Sequence, residues 1–283
     1  MCPGEDATNM VSMGTVWDRT TEFLSDNVSA IFPIAFLAIY LPGVVSSSLE
    51  PLTVRPGATA VTVQILSLVL ALVGAWGQLA ITALVLDPGG GRGVATALAG
   101  RRFLPLIGLL LILFAGLFVL MLPVPVALSL SGFDFQAAMA GGNAALPAGV
   151  GGFLSIYVLL LTVALLWLGA RLALITPIVL KEGSGLTALR RSFTLTRPIT
   201  WRILGVIVLY VVVFGVSVLA AKLVFGSIFR LIAGGDGPVT VGSVMTAILV
   251  GIVVTAFSVL ASAFTGRLYL AARDAREAIV DSL

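Results

Sequence analysis

The chain has 283 residues, 59% of them hydrophobic and only 10% charged, with a mean hydropathy of +1.15. A soluble domain carries about 25% charged residues, so there is too little polar surface here to cover a water-facing globule. The net charge of +3 rests on arginines at helix ends and gives no reason to expect nucleic acid, while the absence of histidine and the single cysteine, Cys2, exclude His-based acid–base catalysis, histidine metal sites and an intrachain disulfide.

Residues 1–26 are polar and acidic, without the basic start and short apolar core of a cleavable signal, and Met10 and Met13 compete with Met1 as starts. Six apolar spans follow, at 28–48, 60–86, 103–130, 150–179, 202–222 and 241–267. About 20 apolar residues cross roughly 30 Å of hydrocarbon as a helix. Backbone facing lipid must satisfy its own hydrogen bonds, so each span is expected to be helical. Pro33 and Pro42 in the first span, and Pro123 and Pro125 in the third, predict kinks or helix ends. The expected fold is an all-α polytopic membrane bundle, a single integral membrane domain over 1–283.

Basic residues set the orientation. Segment 87–102 holds Arg92, Arg101 and Arg102; segment 180–202 holds Lys181, Arg190, Arg191, Arg197 and Arg202; the tail holds Arg273 and Arg276. On the other side, 49–59 offers only Arg55 and 131–149 none, with Lys222 and Arg230 following the fifth span. Both termini and both basic loops are therefore expected in the cytoplasm. The far-side loop 131–149 reads as small and flexible, and 223–235 as an interfacial turn or half-buried helix. The glycine-rich run Asp87 to Gly93 lacks a following Gly-Lys-Ser/Thr and is a turn rather than a phosphate loop.

The pattern repeats. An amphipathic segment followed by two membrane helices recurs over 14–86, 93–179 and 185–272, all in the same direction, which predicts parallel repeats. Leu186, Leu189 and Phe193 share one face of the third amphipathic segment, as in a short helix lying on the inner leaflet. The closing helices align at Gln78-Leu79-Ala80, Arg171-Leu172-Ala173 and Arg267-Leu268-Tyr269, each shortly after a glycine.

These aligned positions supply the candidate polar site: Arg171, Arg267 and Gln78, with Arg190 and Arg191 on the third amphipathic segment. With Lys181 at the interface, Arg171 lies roughly 15 Å deeper by helical rise. A guanidinium at that depth costs at least a few kcal/mol unless it snorkels, pairs or meets water. It is expected either to bind an anionic group such as a lipid phosphate, or to bond helix-end carbonyls or an acid of the first unit. Gln78 is expected to hydrogen-bond between helices. Asp18, Glu22 and Asp26 form an acidic stripe, expected either to pair with arginines of neighbouring units as a ring or to face solvent. No acid interrupts the six spans, no carboxylate pair has catalytic spacing, and no cofactor is indicated.

The run Arg171 to Gly183, RLALITPIVLKEG, then Ala188 to Thr196, ALRRSFTLT, with Trp201-Arg202, resembles the membrane domain named for glycerophosphoryl diester phosphodiesterases and related bacterial membrane proteins. The resemblance is good over about 165–210 and looser before it. It implies a helical bundle of the bacterial inner membrane. The hydrolytic domain of that family, with its histidines, acids and metal, has no counterpart here, so no activity is carried over. The expected function is non-enzymatic: binding lipid, anionic lipid included, or organising membrane partners. The alternative is a transporter or permease for a small or amphipathic solute.

Overall fold

The computed structural model describes residues 12–54, 57–139, 149–183, 186–233 and 239–281. Cys2, the alternative starts Met1 and Met10, Arg55 and most of the small loop before Gly149 lie outside them. Every regular element among the described residues is helical. Six helical stretches are long and apolar enough to cross a membrane: Val28–Thr53, Ala58–Leu86, Pro88–Leu130, Val150–Glu182, Thr187–Ile232 and Val241–Ala278. The protein is an all-α, multi-pass integral membrane bundle.

Helix α1, Met13–Asp26, precedes the first span and buries Val16, Thr20 and Phe23, one stripe at helical spacing. The first span is α2, Val28–Ile34, a π-helical turn, Ala35–Tyr40, and α3, Leu41–Leu49. Pro33 and Pro42 bracket that turn. Each removes a backbone donor and crowds the carbonyl four residues back, and a widened ladder between them accommodates both. Helix α4, Ala58–Leu86, forms the second span. The third is α5, Gly91–Met121, and α6, Pro123–Leu130, broken at Leu122 just before Pro123. The second amphipathic segment is thus no separate helix, because nothing between Gly93 and Phe103 interrupts the ladder of α5. A short α7, Phe135–Met139, follows.

The fourth span is α8, Val150–Leu172, and α9, Ile175–Glu182. Pro177 causes that break: it cannot donate to Ala173, and its ring clashes with that carbonyl. Then come α10, Leu186–Thr196, α11, Thr200–Ile232, and α12, Val241–Asp281. At 33 and 41 residues, α11 and α12 run about 50 and 60 Å, well beyond the hydrocarbon thickness. Of the stretch 223–235, expected as an interfacial turn or half-buried helix, the part up to Ile232 is the uninterrupted end of α11, and 234–235 lie outside the described residues. The helical part contains no proline, and its C-terminal Ala233 amide still bonds Phe229.

The core sits at the end of the bundle that carries most of the arginines. There Leu79 to Leu86 of α4 are buried on every side, as are Ile175 and Pro177 to Leu180 of α9. Helix α9 packs among α4, α5, α10 and α12. Glycines permit close helix approaches, at Gly77, Gly251 and Gly266 among others. A Cβ at Gly77 would lie 2.7 Å from the Ala38 Cβ, and one at Gly266 2.7 Å from Cγ1 of Val85. Small residues let membrane helices meet in this way. Toward the other end, α5, α8 and α11 expose side chains such as Leu111, Phe114, Leu159, Leu160 and Leu209 outward.

Candidate functional site

Arg171 sits in the last turn of α8, where four carbonyls lack partners within the helix. Its own carbonyl accepts from Ser192 Oγ at 2.7 Å and from Thr196 Oγ1 at 3.3 Å, both hydroxyls on α10 and both buried. In return, Arg171 Nη1 donates to the Phe193 carbonyl at 3.1 Å, in the last turn of α10. The guanidinium carbon lies 5.1 Å from the ring centre of Trp167 and 5.9 Å from that of Phe193. One cation therefore joins α8 to α10 through a helix-end carbonyl and the Phe193 ring, with Trp167 of its own helix on its flank. Its Nε is buried and finds no hydrogen-bond partner among the described residues.

Arg267 occupies the aligned position on α12. Its guanidinium carbon is 5.0 Å from the Phe23 ring centre on α1, and its Nε is likewise buried without a hydrogen bond. Arg19 and Glu22 of α1 bring one like and one opposite charge within electrostatic reach. Phe264, one turn earlier on α12, meets Trp17 with ring centres 6.4 Å apart.

Gln78 behaves differently. Its side chain is exposed and forms no interhelical hydrogen bond among the described residues; its carbonyl accepts from Thr82 Oγ1. The helix turns Gly77 and Leu79 inward instead, which leaves Gln78 on the outer face. Arg190 is exposed. Arg191 Nε pairs with Glu182 Oε1 at 2.9 Å, and Tyr269 of α12 donates to the same oxygen at 3.4 Å. The Arg102 guanidinium of α5 lies where a Cβ on Gly183 would stand. Four elements meet at this point.

The acidic stripe of α1 does not close a ring. Asp18, Glu22 and Asp26 are all exposed and make no ion pair among the described residues. Val16, Thr20 and Phe23 take the inward face, and the acids fall on the opposite side of the helix. The third amphipathic helix also differs from a helix lying on lipid alone. Ala188, Ser192, Leu195 and Thr196 bury its inner face against protein, and its hydroxyls bond α8.

A feature that sequence reasoning missed lies between α1, α11 and α12. It is an apolar cleft of about 460 Å³ lined by residues including Trp17, Ile203, Val206, Ala261 and Phe264. Its deeper end meets the packed rings of Tyr210, Phe214 and Phe257, where Tyr210 Oη donates to the Phe257 carbonyl at 3.1 Å. Toward the basic end it shares Met13, Val206 and Leu209 with a mouth that also takes in Ser12 and Arg202. No local pattern marks such a cleft, because its walls come from both ends of the chain. At the opposite end of the bundle, Ser46, Ser47, Glu50, Thr53, Gln64 and Ser67 line a separate polar depression.

No family model, no curated protein and no solved structure matches the chain.

Proposed function

We propose that the chain is a non-enzymatic protein of the bacterial inner membrane, with both ends in the cytoplasm, that binds anionic lipid at its basic end. The observation that carries this reading is the sorting of the arginines. The deep ones, Arg171 and Arg267, are taken up by rings and, for Arg171, a backbone carbonyl. Arg92, Arg101, Arg190 and Arg197, around the same end, are exposed. An exposed arginine rim at the headgroup level attracts anionic lipid, at roughly 1 kcal/mol per charge near the surface. It also follows the orientation rule for cytoplasmic segments.

Transport has less support. Of the polar side chains a solute path would require, Arg171 and Arg267 are packed into protein contacts, Gln78 faces outward, and the Ser/Thr-lined depression lies at the other end. The resemblance over 165–210 agrees with a helical bundle of the bacterial inner membrane.

The test is native mass spectrometry from mild detergent. Wild type is compared with Arg171→Ala and with a triple variant carrying Arg101→Gln, Arg190→Gln and Arg197→Gln. Anionic phospholipid adducts on wild type, reduced in the triple variant, are expected. Equal adducts in wild type and the triple variant would remove the rim as the binding element. Loss in a folded Arg171→Ala alone would transfer the binding to Arg171.

A further inference from the structure

We infer that the polar depression between α3 and α4, at the end of the bundle away from the arginine rim, holds a primary ammonium group carried beside a phosphate, as in the headgroup of an ethanolamine phospholipid. This site is separate from the rim and does not depend on anionic lipid binding there.

Two short polar patterns build its walls. Ser46, Ser47 and Glu50 recur at helical spacing where α3 passes into the 3-10 turn Glu50–Thr53, and Gln64 and Ser67 stand one turn apart on α4. The two helices pack together, and with Thr53 these side chains line one cavity of about 320 Å³. With Val28 and Leu86 at the opposite membrane boundary, the three serines lie about 27–29 Å away by helical rise, and Glu50 and Gln64 about 33 Å. The hydrocarbon is about 30 Å thick. The serines therefore stand at its margin, and Glu50 and Gln64 at the headgroup level.

The lining groups share a cavity without bonding across it. Thr53 Oγ1 donates to the Glu50 carbonyl within its own turn. Nearby Ser48 and Thr62 satisfy their hydroxyls on carbonyls four residues earlier. The side chains of Ser46, Ser47, Gln64 and Ser67 make no such bond among the described residues, and the Glu50 carboxylate makes no ion pair there. Polar groups at the margin of the hydrocarbon cost free energy unless something polar meets them. Charge and donor type select that occupant. Glu50 calls for a cation, while the hydroxyls and the Gln64 amide supply donors for an anionic oxygen beside it. The cavity is far larger than one water, about 30 Å³ in the liquid, so a bare inorganic ion fills little of it. A trimethylated ammonium has no N–H to give Glu50, and no aromatic ring is among the described lining residues to receive it through a π face. A primary ammonium donates to the carboxylate directly, in a charge-assisted bond.

The experiment uses the full chain, delipidated in detergent and titrated under native mass spectrometry with phosphatidylethanolamine, phosphatidylcholine of the same acyl chains, or free phosphoethanolamine. Wild type should hold phosphatidylethanolamine about tenfold more tightly than phosphatidylcholine, the scale of one hydrogen bond to a charged group. Glu50→Gln should abolish that preference, Ser67→Leu should lose the lipid by filling the cavity from α4, and the triple arginine variant should keep both. Displacement of the retained lipid by free phosphoethanolamine supports recognition of the headgroup. Binding of the free compound without retained lipid supports the same site with a soluble ligand. Equal binding of the two lipids to wild type, with no binding of the free compound, would overturn the proposal. So would a preference unchanged in both Glu50→Gln and Ser67→Leu. Thermal unfolding in the same detergent confirms that each variant is folded, and Glu50→Gln, at an exposed position, decides the matter should Ser67→Leu fail.

Discussion

The guanidinium of Arg267 lies over the ring of Phe23, 5.0 Å from its centre, and so ties the last described helix to the first described one. Arg171 meets Phe193 in a similar way, at 5.9 Å, between α8 and α10. In each case an arginine near the basic end of a closing helix holds the aromatic ring of an amphipathic helix. On the division into three units, the second unit grips the third and the third grips the first. The remaining junction has Trp76 of α4 near Gly100 of α5, with Gln78 turned away from it. In the segment expected to open a second unit, the chain is already continuous with α5 and no separate amphipathic helix has to be fastened.

Arg267→Ala should loosen α1. A desolvated cation–π contact contributes about 2 kcal/mol, and Arg267 has no ion pair among the described residues to compensate. The expected result is a lower unfolding midpoint in detergent and faster trypsin cleavage at Arg19. Arg267→Lys should recover part of the loss, since it keeps charge but not the flat face. An unchanged cleavage rate in Arg267→Ala would show that α1 is held by Phe23 burial alone.

The Arg171 junction has two parts, the guanidinium's contacts with Phe193 and the hydroxyl bonds to the Arg171 carbonyl, and they should separate. Arg171→Ala and Phe193→Leu are expected to couple by about 0.5–2 kcal/mol in a double-mutant cycle. Ser192→Ala, which strips the better of the two donors from the Arg171 carbonyl, should cost about 1–3 kcal/mol whether or not the guanidinium is present. Additive effects of Arg171→Ala and Phe193→Leu would refute the stacking contact.

Gly183 should not tolerate a side chain. Its φ of +70° lies in the left-handed region, and a substituent would enter the Arg102 guanidinium. Gly183→Ala is expected to destabilise by about 1–2 kcal/mol from backbone strain alone, with the steric clash added. Adding Arg102→Ala should restore only the steric part. Full rescue by that second change would mean the backbone strain is negligible.

The acidic face of α1 should be permissive. Asp18→Asn and Asp26→Asn are expected to shift stability by no more than about 0.5 kcal/mol. Glu22→Lys should cost up to about 1 kcal/mol, the scale of a screened surface interaction, because Glu22 alone of the three acts on Arg267. That cost should shrink as salt rises. A salt-independent loss of several kcal/mol at Glu22 would indicate a buried ion pair.

Much of the architecture was legible because its causes are local. A run of apolar residues long enough to span forms a helix wherever it sits, and Pro123 ends one by removing its own donor. The aligned Arg171 and Arg267 could likewise be singled out as costly. Their partners could not be named: Phe193 is 22 residues from Arg171, and Phe23 belongs to the other end of the chain. The acidic stripe was visible, but the side of α1 on which Phe23 is buried set its role.

By itself the sequence determined the helical, membrane-spanning character of the chain, the helix end before Pro123 and the clustering of arginine at one end. Tertiary structure alone decided which faces meet protein and which meet lipid. Leu84 is buried and Leu111 is 63% exposed, yet both lie in apolar spans of similar composition. Hydropathy separates inside from outside only when the outside is water. In a bilayer the solvent is as apolar as the core, so only close packing, at positions such as Gly77 and Gly266, and the few polar contacts that need partners set the arrangement.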